Sequence, residues 1–359
     1  MQRQRWIDVL RGIGIILVVW GHVYGGYSFD IIFLFHMPLF FFISGYLFRP
    51  VADLGAFCRR KAIQLLVPYA VFLLAIGIPL TIDLFLNKPH DAAAVLTFAG
   101  DMLLGGSRLS AWVAAFWFVT VFFAVLLIEA ALIGRHARST LLWLHAAMLA
   151  ASYLNAFFAP ALKVPWALNL VLAAAPFFYA GHLWRQLPQR QRGDRIAVAV
   201  AALAVIAAIV NHYFGWHLSL GYDMKVTQYG VPGLSFIAAL GCCVCMTRVA
   251  RRVDARWPAV ALWLAELGQA AIVIMFMHMV FTMGLAAMLG EEYRLLRVVA
   301  GLAGSYLLYR LGRRWSWSRA LLLGSERDFH ALGGRRRGLS WGSRRRGSVQ
   351  SNLILKDQF

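Results

Sequence analysis

Charge is scarce in this chain of 359 residues, of which only 14% are charged and 61% are apolar. A soluble domain has about one quarter charged residues, so the composition excludes an ordinary soluble protein. Acidic residues are the rarer sign, with 16 against 35 lysines and arginines. Only four cysteines occur, in no zinc-like spacing, which argues against a disulfide framework and a zinc ribbon.

Long uncharged stretches take the place of the missing charge. A helix needs about 20 apolar residues to cross the hydrocarbon core of a bilayer. Nine stretches approach or exceed that length: residues 12–29, 31–48, 62–82, 109–128, 139–162, 164–184, 196–222, 226–247 and 267–290. A tenth, 295–311, could span if Arg297 and Arg310 extend towards the interfaces. We therefore predict an all-α integral membrane protein with about ten transmembrane helices.

The basic residues predict how these helices are oriented. If the N-terminus is inside and there are ten spans, 28 of the 35 lysines and arginines lie inside and six outside, with Arg11 in the first span. This is the bias of cytoplasmic loops, so both termini are predicted to be cytoplasmic. The net charge of +19 is thus explained by topology, and no nucleic-acid partner is expected. The N-terminal segment that begins at Met1 carries Asp8 and Arg11 and lacks a small-residue cleavage site, which favours a retained span over a signal peptide.

Two parts are predicted along the chain. Residues 1–315 form one membrane domain, and residues 316–359 form a basic, disordered cytoplasmic tail, too poor in apolar residues to build a core. A solvated tail that helps to set the topology is the favoured interpretation, and contact with anionic lipid headgroups is the more specific alternative. Two outside loops, 87–109 and 215–230, are long enough to cap a cavity. The second is rich in aromatic and polar residues, a composition that suits either sugar contact or, by preference, an interfacial aromatic belt.

Ionisable residues lie inside the first span, within "RWIDVLRGIGIILVVWGHVYGG". Arg11 and His22 are eleven residues apart, which puts them within about 20° of the same helix face and roughly 16 Å apart along the axis. Asp8, three residues before Arg11, can pair with it. Ionisable groups inside a membrane are costly and usually functional, so this face is a candidate site.

A second histidine lies in the next span, "DIIFLFHMPLFFFISGYLFRP". If the two helices are antiparallel neighbours, His36 and His22 lie at a similar depth and can share a cavity. Pro38 is predicted to bend this helix, and the small residues of "SGY" at 44–46 permit close helix approach. The plainer alternative is that each histidine simply hydrogen-bonds across helices.

These two stretches, "DVLRGIGIILVVWGH" and "FHMPLFFFISGYLF", closely resemble the opening of acyltransferase family three. These are bacterial integral membrane acyltransferases, including proteins similar to fucose 4-O-acetylase. Their signature is an arginine, ten residues and a histidine, which Arg11 and His22 match. Weaker echoes follow over residues 5–312: "RRKAIQLLVPY", "FWFVTVFFA", "APFFYAGHLW" and "LGQAAIVIMFMHMVF".

The resemblance implies an O-acyltransferase of the bacterial cytoplasmic (inner) membrane. The donor would be acetyl-CoA as co-substrate, with no metal expected, and the acceptor a hydroxyl of a cell-surface, exported or lipid-linked carbohydrate. It implies that His22 is essential, that Arg11 serves the donor side, and that Arg60 and Lys61, with Arg59 nearby, contact coenzyme A phosphates. The family often has arginines at the positions of Lys61 and Gln64, so one charge is lost here and one bidentate donor becomes a point charge. Each basic residue could instead be an ordinary cytoplasmic anchor.

The chemistry agrees with these roles. A neutral imidazole can remove the proton of an acceptor hydroxyl, so His22 is predicted to be the general base. A covalent acyl-histidine intermediate is the less favoured alternative. His36 would orient His22, bind the acceptor or stabilise the oxyanion. His278 either lines the same cavity or packs in the core. Five other side chains have simpler explanations. Trp117 and Phe118 could form a wall of the donor tunnel, but an apolar helix face is favoured. Interfacial hydrogen bonding explains Glu129, His145 and His182.

Two other classes of function compete with this one. In the first, a proton-coupled transporter or glycan exporter, His22 and His36 would act as a relay. Against it, no inverted repeat and no paired broken helices are evident in the sequence. In the second, a non-catalytic assembly partner, neither histidine would matter.

Overall fold

The structure, a computed structural model, describes residues 4–87, 91–188, 194–216 and 218–334. Within these ranges the backbone is helical apart from turns, loops and one isolated bridge between Asp223 and Gln228. The α-helices are α1 Arg5–Val23, α2 Tyr27–Ile32, α3 His36–Leu47, α4 Leu54–Lys61, α5 Val67–Asn87, α6 Ala92–Leu104, α7 Trp117–Leu132, α8 Arg138–Phe158, α9 Val171–Gln186, α10 Asp194–Phe214, α11 Leu234–Arg256, α12 Pro258–Gln269, α13 Ala271–Leu289, α14 Arg294–Gly312, α15 Ser316–Leu322 and α16 Glu326–Gly334.

Nine helical segments of the described ranges are long and apolar enough to cross a membrane. They correspond to the nine uncharged stretches, so the predicted all-helical membrane fold is confirmed. The tenth predicted span is α14, which has 19 residues but is less apolar than the other nine. The predicted loop 87–109 contains α6, a shorter apolar helix that lies along α5, where Met102 contacts Gly77.

Two helix pairs pack at backbone distance. A Cβ atom at Gly12 of α1 would lie 2.0 Å from the carbonyl oxygen of Leu264 in α12. In α3, a Cβ at Gly45 would lie 1.7 Å from the carbonyl oxygen of Phe178 in α9. Only glycine permits such approaches, because any side chain would have to push the neighbouring backbone away. The close approach predicted for "SGY" is confirmed, and the α1–α12 contact fixes the helix that carries Arg11 and His22.

The second span is interrupted, and Pro38 is not the cause. Helix α2 ends at Ile32 and α3 begins at His36, so the break lies at residues 33–35. Pro38 is the third residue of α3, where no intrahelical N–H donor is required, and the predicted bend at this proline is wrong. The backbone carbonyl of Phe33 at the break accepts a hydrogen bond of 2.8 Å from the backbone N–H of Tyr222. The backbone carbonyl freed by the break is therefore hydrogen-bonded within the protein, as non-helical backbone inside a membrane requires.

Residues 218–233, which we call the cap loop, provide that bond and fold over the bundle. Tyr222, Met224 and Tyr229 are almost completely buried, and the ring of Tyr222 packs edge-on against Phe177. Tyr222 and Tyr229 thus anchor the loop inside the protein, while Trp216, just before it, is 57% exposed and is the one aromatic residue of 215–230 in a position that suits an interfacial belt. A loop held in this way can cover a cavity, as the sequence predicted for 215–230.

The opposite end of the bundle is lined with arginines, and we call it the basic end. The carbonyl oxygens of Val51 and Phe48 accept bonds from Arg135 and Arg185 respectively. Arg251 donates to the hydroxyl of Tyr46 and lies over the ring of Trp6. The bonds from Arg135 and Arg185 satisfy carbonyls just after the end of α3, as the favourable placement of cations near helix C-termini predicts.

The predicted unstructured tail differs at its start. Residues 316–334 form α15 and α16, which are joined by a bidentate ion pair of 2.9 Å between Arg319 and Asp328. Gly324 lies against the backbone of Gln64, so this segment packs on the start of the third span. Hydrogen bonding to Arg319 lowers the pKa of Asp328. The rest of the predicted tail, 335–359, lies outside the described residues.

Candidate active site

His22 lies in the last turn of α1, which ends one residue later at Val23. Its side chain is exposed, although α1 is packed against α2, α3 and four C-terminal helices, α11 to α14. Because neighbours surround the helix, the exposure of His22 is towards space within the bundle. No hydrogen bond to either ring nitrogen is present among the described residues. His22 is therefore an accessible imidazole with both nitrogens available to a ligand.

His278 of α13 is stacked on His22, with ring centroids 5.3 Å apart and an interplanar angle of 30°. It is completely buried, and its Nδ1 is 2.8 Å from the carbonyl oxygen of Ile274. Since a carbonyl can only accept, Nδ1 carries the proton, and Nε2 of the neutral ring is a lone-pair acceptor. That Nε2 is buried without a partner. The ring contact puts His278 beside His22, and its complete burial also agrees with packing in the core.

This histidine pair is deep within the bundle even though α1 ends beside it. Eleven residues follow His278 before α13 ends at Leu289, which is about 16 Å of helix. The end of α1 and the break after α2 lie at this level, and the cap loop is bonded to that break through Tyr222. Irregular backbone of this kind in a membrane protein is tolerated where it lines a cavity.

His36, the second predicted catalytic residue, is close to His22 but separated from it by Phe33. The ring of Phe33 is 4.3 Å from that of His36 and 6.1 Å from that of His22, measured between centroids. His36 is buried, and its Nδ1 is 3.1 Å from the carbonyl oxygen of Ile32, so Nδ1 is again the protonated nitrogen. The matched depth predicted for the two histidines agrees with this arrangement.

The cap loop brings a cation towards the same place. Lys225 is near enough to interact electrostatically with His22. Burial lowers the pKa of Lys225, and the neighbouring carboxylate of Asp223 opposes that shift. Sequence reasoning missed this lysine. The available signal was a single basic residue inside an otherwise aromatic and polar outside loop.

Arg11 lies on the predicted face of α1. Its guanidinium is 3.4 Å from Asp8, and the two side chains are only 11% and 5% exposed. It is about 16 Å below His22 along the helix, towards the basic end. A buried pair of this kind fixes the orientation of the guanidinium.

A cavity of about 420 Å³ opens at the basic end between α3, α4, α7 and the start of the third span. Three cations line it: Arg49, Arg60 and Lys61. Lys61 is buried and donates a hydrogen bond of 2.9 Å to the side-chain oxygen of Gln64. Gln64, where the family often has arginine, thus contacts one of the three cations directly. Arg59 is exposed and does not line this cavity. Arg11 does not line it either.

The remaining candidates form separate groups. Phe118 packs on Phe41 and Phe122 in an apolar cluster, which agrees with an apolar helix face. Glu129 is fully buried and 2.8 Å from Nε2 of His145. This pair is therefore inside the bundle, whereas we expected interfacial hydrogen bonds. His182 is also buried, with Nε2 2.8 Å from the amide nitrogen of Gln186.

These features define a polytopic helical membrane protein with an accessible histidine, His22, at the end of its first span. The family model described as an acyltransferase domain matches residues 4–322, nearly the whole chain. The chain belongs to this acyltransferase family, acyltransferase family three. The predicted family resemblance is confirmed.

One curated relative matches over a shorter segment. It is "Nodulation protein NolL" of Sinorhizobium fredii (strain NBRC 101917 / NGR234), 34% identical over 111 residues. The match covers 27% of this chain and 30% of that protein, so the chain spans less than a third of its relative's length. No solved structure matches the chain.

Proposed function

We propose that this membrane acyltransferase moves an acetyl group from acetyl-CoA to a hydroxyl of a carbohydrate, with His22 as the general base. The observation that carries the proposal is that His22 is exposed and without a hydrogen bond, while the neighbouring His36 and His278 are buried with Nδ1 held by carbonyls. Of the three histidines, His22 is the one with an open approach and a free nitrogen, which is what proton removal from a substrate requires.

The reaction at His22 is an acyl transfer without a covalent enzyme intermediate. The imidazole takes the hydroxyl proton as the acceptor oxygen attacks the thioester carbonyl carbon. The carbon–sulfur bond then breaks, and the imidazolium returns the proton to the departing thiolate, so that free coenzyme A and an ester are formed. Lys225 supplies positive charge near the oxyanion, and Nε2 of His278 receives a hydrogen bond from the acceptor or from His22.

The cavity at the basic end supports the donor half of the proposal. Coenzyme A carries several phosphate charges, and Arg49, Arg60 and Lys61 face one cavity. The cytoplasmic position of this end follows from the excess of positive charge there. Arg11 lies between this end and His22, where it contacts the donor arm on its way to the base. The proposed membrane is the bacterial inner membrane, where acetyl-CoA is available on one side and glycans on the other.

The first test is acyl transfer by the purified protein in lipid nanodiscs. Free thiol release from acetyl-CoA is followed with and without carbohydrate extracted from the envelope of the native cells. We expect release to depend on the carbohydrate and labelled acetyl to appear on it. Carbohydrate-independent thiol release with no labelled glycan would contradict the proposal.

Removing one donor-cavity charge should weaken donor binding selectively. We expect Arg60→Gln to raise the KM for acetyl-CoA about tenfold or more, because a charge-assisted bond to phosphate is lost. The KM for S-acetyl pantetheine, which lacks the nucleotide phosphates, should change less than twofold. Steady-state kinetics with the two donors measures both effects.

Arg59→Gln is the matched control for this prediction. It removes the same charge from the adjacent residue, whose side chain is exposed outside the cavity. We expect its donor KM to remain within twofold of the wild type. Equal effects of the two substitutions would mean that these arginines act only through the overall charge of the basic end.

A proton-coupled carrier is the second candidate, because His22, His36 and His278 form one group within the bundle. A carrier would move labelled glycan across a proteoliposome membrane in response to a pH gradient and would not cleave acetyl-CoA. Gradient-driven uptake without thiol release would favour the carrier over the enzyme.

A further inference from the structure

A second cavity, of about 500 Å³, lies on the other side of Phe33 from the histidines. Its walls come from α2, the end of α10 and the cap loop. Phe33 lines this cavity and also contacts the rings of both His22 and His36. One aromatic ring therefore separates this cavity from the proposed base.

The polar groups in this cavity suit a neutral ligand with many hydroxyls. The carboxylate of Asp30 is 2.7 Å from Nδ1 of His212, and each side chain is about one-third exposed. Ser219 and Gln228 are exposed lining residues with polar side chains. Asn211 exchanges two bonds of 3.0 Å with the backbone of Leu218 and so holds the loop in place.

An apolar face completes the lining. The rings of Phe29 and Phe33 are stacked with centroids 3.7 Å apart. A pyranose presents a face of C–H groups and a rim of hydroxyls, so one side suits these rings and the other suits carboxylate, amide and hydroxyl groups. Cavities that orient a ligand by a few convergent polar groups on an apolar wall are typical binding sites.

Charge distinguishes this cavity from the one at the basic end. Among its described lining residues there is no lysine or arginine, and Asp30 and Asp223 contribute carboxylates. The basic-end cavity has three cations and no carboxylate among its described lining. A ligand with phosphates is therefore favoured at one end, and an uncharged ligand at the other.

We infer that the cavity of Asp30, His212 and Gln228 binds the acceptor as a neutral sugar, which lies against Phe33 and presents a hydroxyl past this ring to His22. This inference rests on the proposed function and adds to it the place and the chemical class of the acceptor. The envelope carbohydrate used above, separated into uncharged and anionic fractions by anion exchange, provides the probe.

The test is a comparison of acceptor and donor KM in the purified protein. We expect the uncharged fraction to be acetylated, and Gln228→Ala and Asp30→Asn each to raise its KM about five- to tenfold, as expected for one lost hydrogen bond. The KM for acetyl-CoA should remain within twofold. Tyr213→Ala is the matched control, because this residue follows His212, is 74% exposed and does not line the cavity.

The outcomes separate the inference from the function on which it rests. If the wild type transfers acetyl but both variants keep the wild-type acceptor KM, the inference is overturned and the proposed function stands. Acetylation of the anionic fraction alone, or equal rises in acceptor and donor KM, would also overturn the inference. If the wild type shows no carbohydrate-dependent thiol release, both are withdrawn.

Discussion

Replacing His22 with alanine is expected to lower kcat for acyl transfer by about 10²- to 10⁴-fold, the usual contribution of a general base. The donor KM should change little, because the cations proposed to bind coenzyme A are at the other end of the bundle. The side chain is exposed and makes no hydrogen bond, so its removal leaves no buried polar group unsatisfied. Thiol release and labelled-glycan formation measure the rate, and a thermal unfolding curve in nanodiscs checks the fold.

The control for this substitution is His136→Ala, which removes an exposed histidine outside the described site. We expect its kcat to equal that of the wild type. If His22→Ala keeps the wild-type rate with a normal unfolding midpoint, His22 is not the base, and the carrier hypothesis becomes the better explanation of the histidine group.

The buried histidines give less clear experiments. His278 and His36 each bond to a carbonyl within their own chain segment, Ile274 and Ile32. Substituting either one leaves a cavity as well as a missing imidazole, so lost activity would combine packing with chemistry. The accessible position of His22 makes its substitution the more direct test of proton removal.

Helical periodicity was enough to predict the face of α1. Asp8 and Arg11 pair as the i, i+3 spacing indicated, and Arg11 and His22 share one uninterrupted helix. The stack of His22 on His278 could not be predicted in this way. Those residues are in distant parts of the sequence, and their contact depends on the order in which the helices pack.

Other features were missed because their local signal was weak or misleading. The break at 33–35 contains only apolar residues and no proline or glycine. Pro38 is the residue that predicted an interruption, but it lies in the first turn of α3, where a proline does not disturb the helix. Helix α12 has 12 residues, too few for a span, and it is separated from α13 only at Ala270. It is nevertheless the helix that lies closest against α1, because Gly12 and Gly268 remove the side chains between them.

That contact leads to the second large effect. A Cβ at Gly12 would lie 2.0 Å from the carbonyl oxygen of Leu264, and one at Gly268 would lie 1.9 Å from that of Asp8. Both distances are below the closest approach of a carbon to an oxygen, and the clash is with backbone, which cannot rotate aside. Gly12→Val is therefore expected to force α1 and α12 apart and to destabilise the fold by about 1–3 kcal/mol or more.

The same displacement reaches the site, because α12 leads directly into α13, which carries His278, while α1 carries His22. A shift of about 1 Å in catalytic geometry can cost about 100-fold in rate, so we expect at least that loss of acyl transfer in any Gly12→Val protein that remains folded. The unfolding midpoint and kcat are measured together. Gly100→Ala, in α6 with nothing within 4 Å of the new Cβ, is the control and should keep both. A Gly12→Val protein with wild-type kcat would show that the α1–α12 contact does not set the position of His22 against His278.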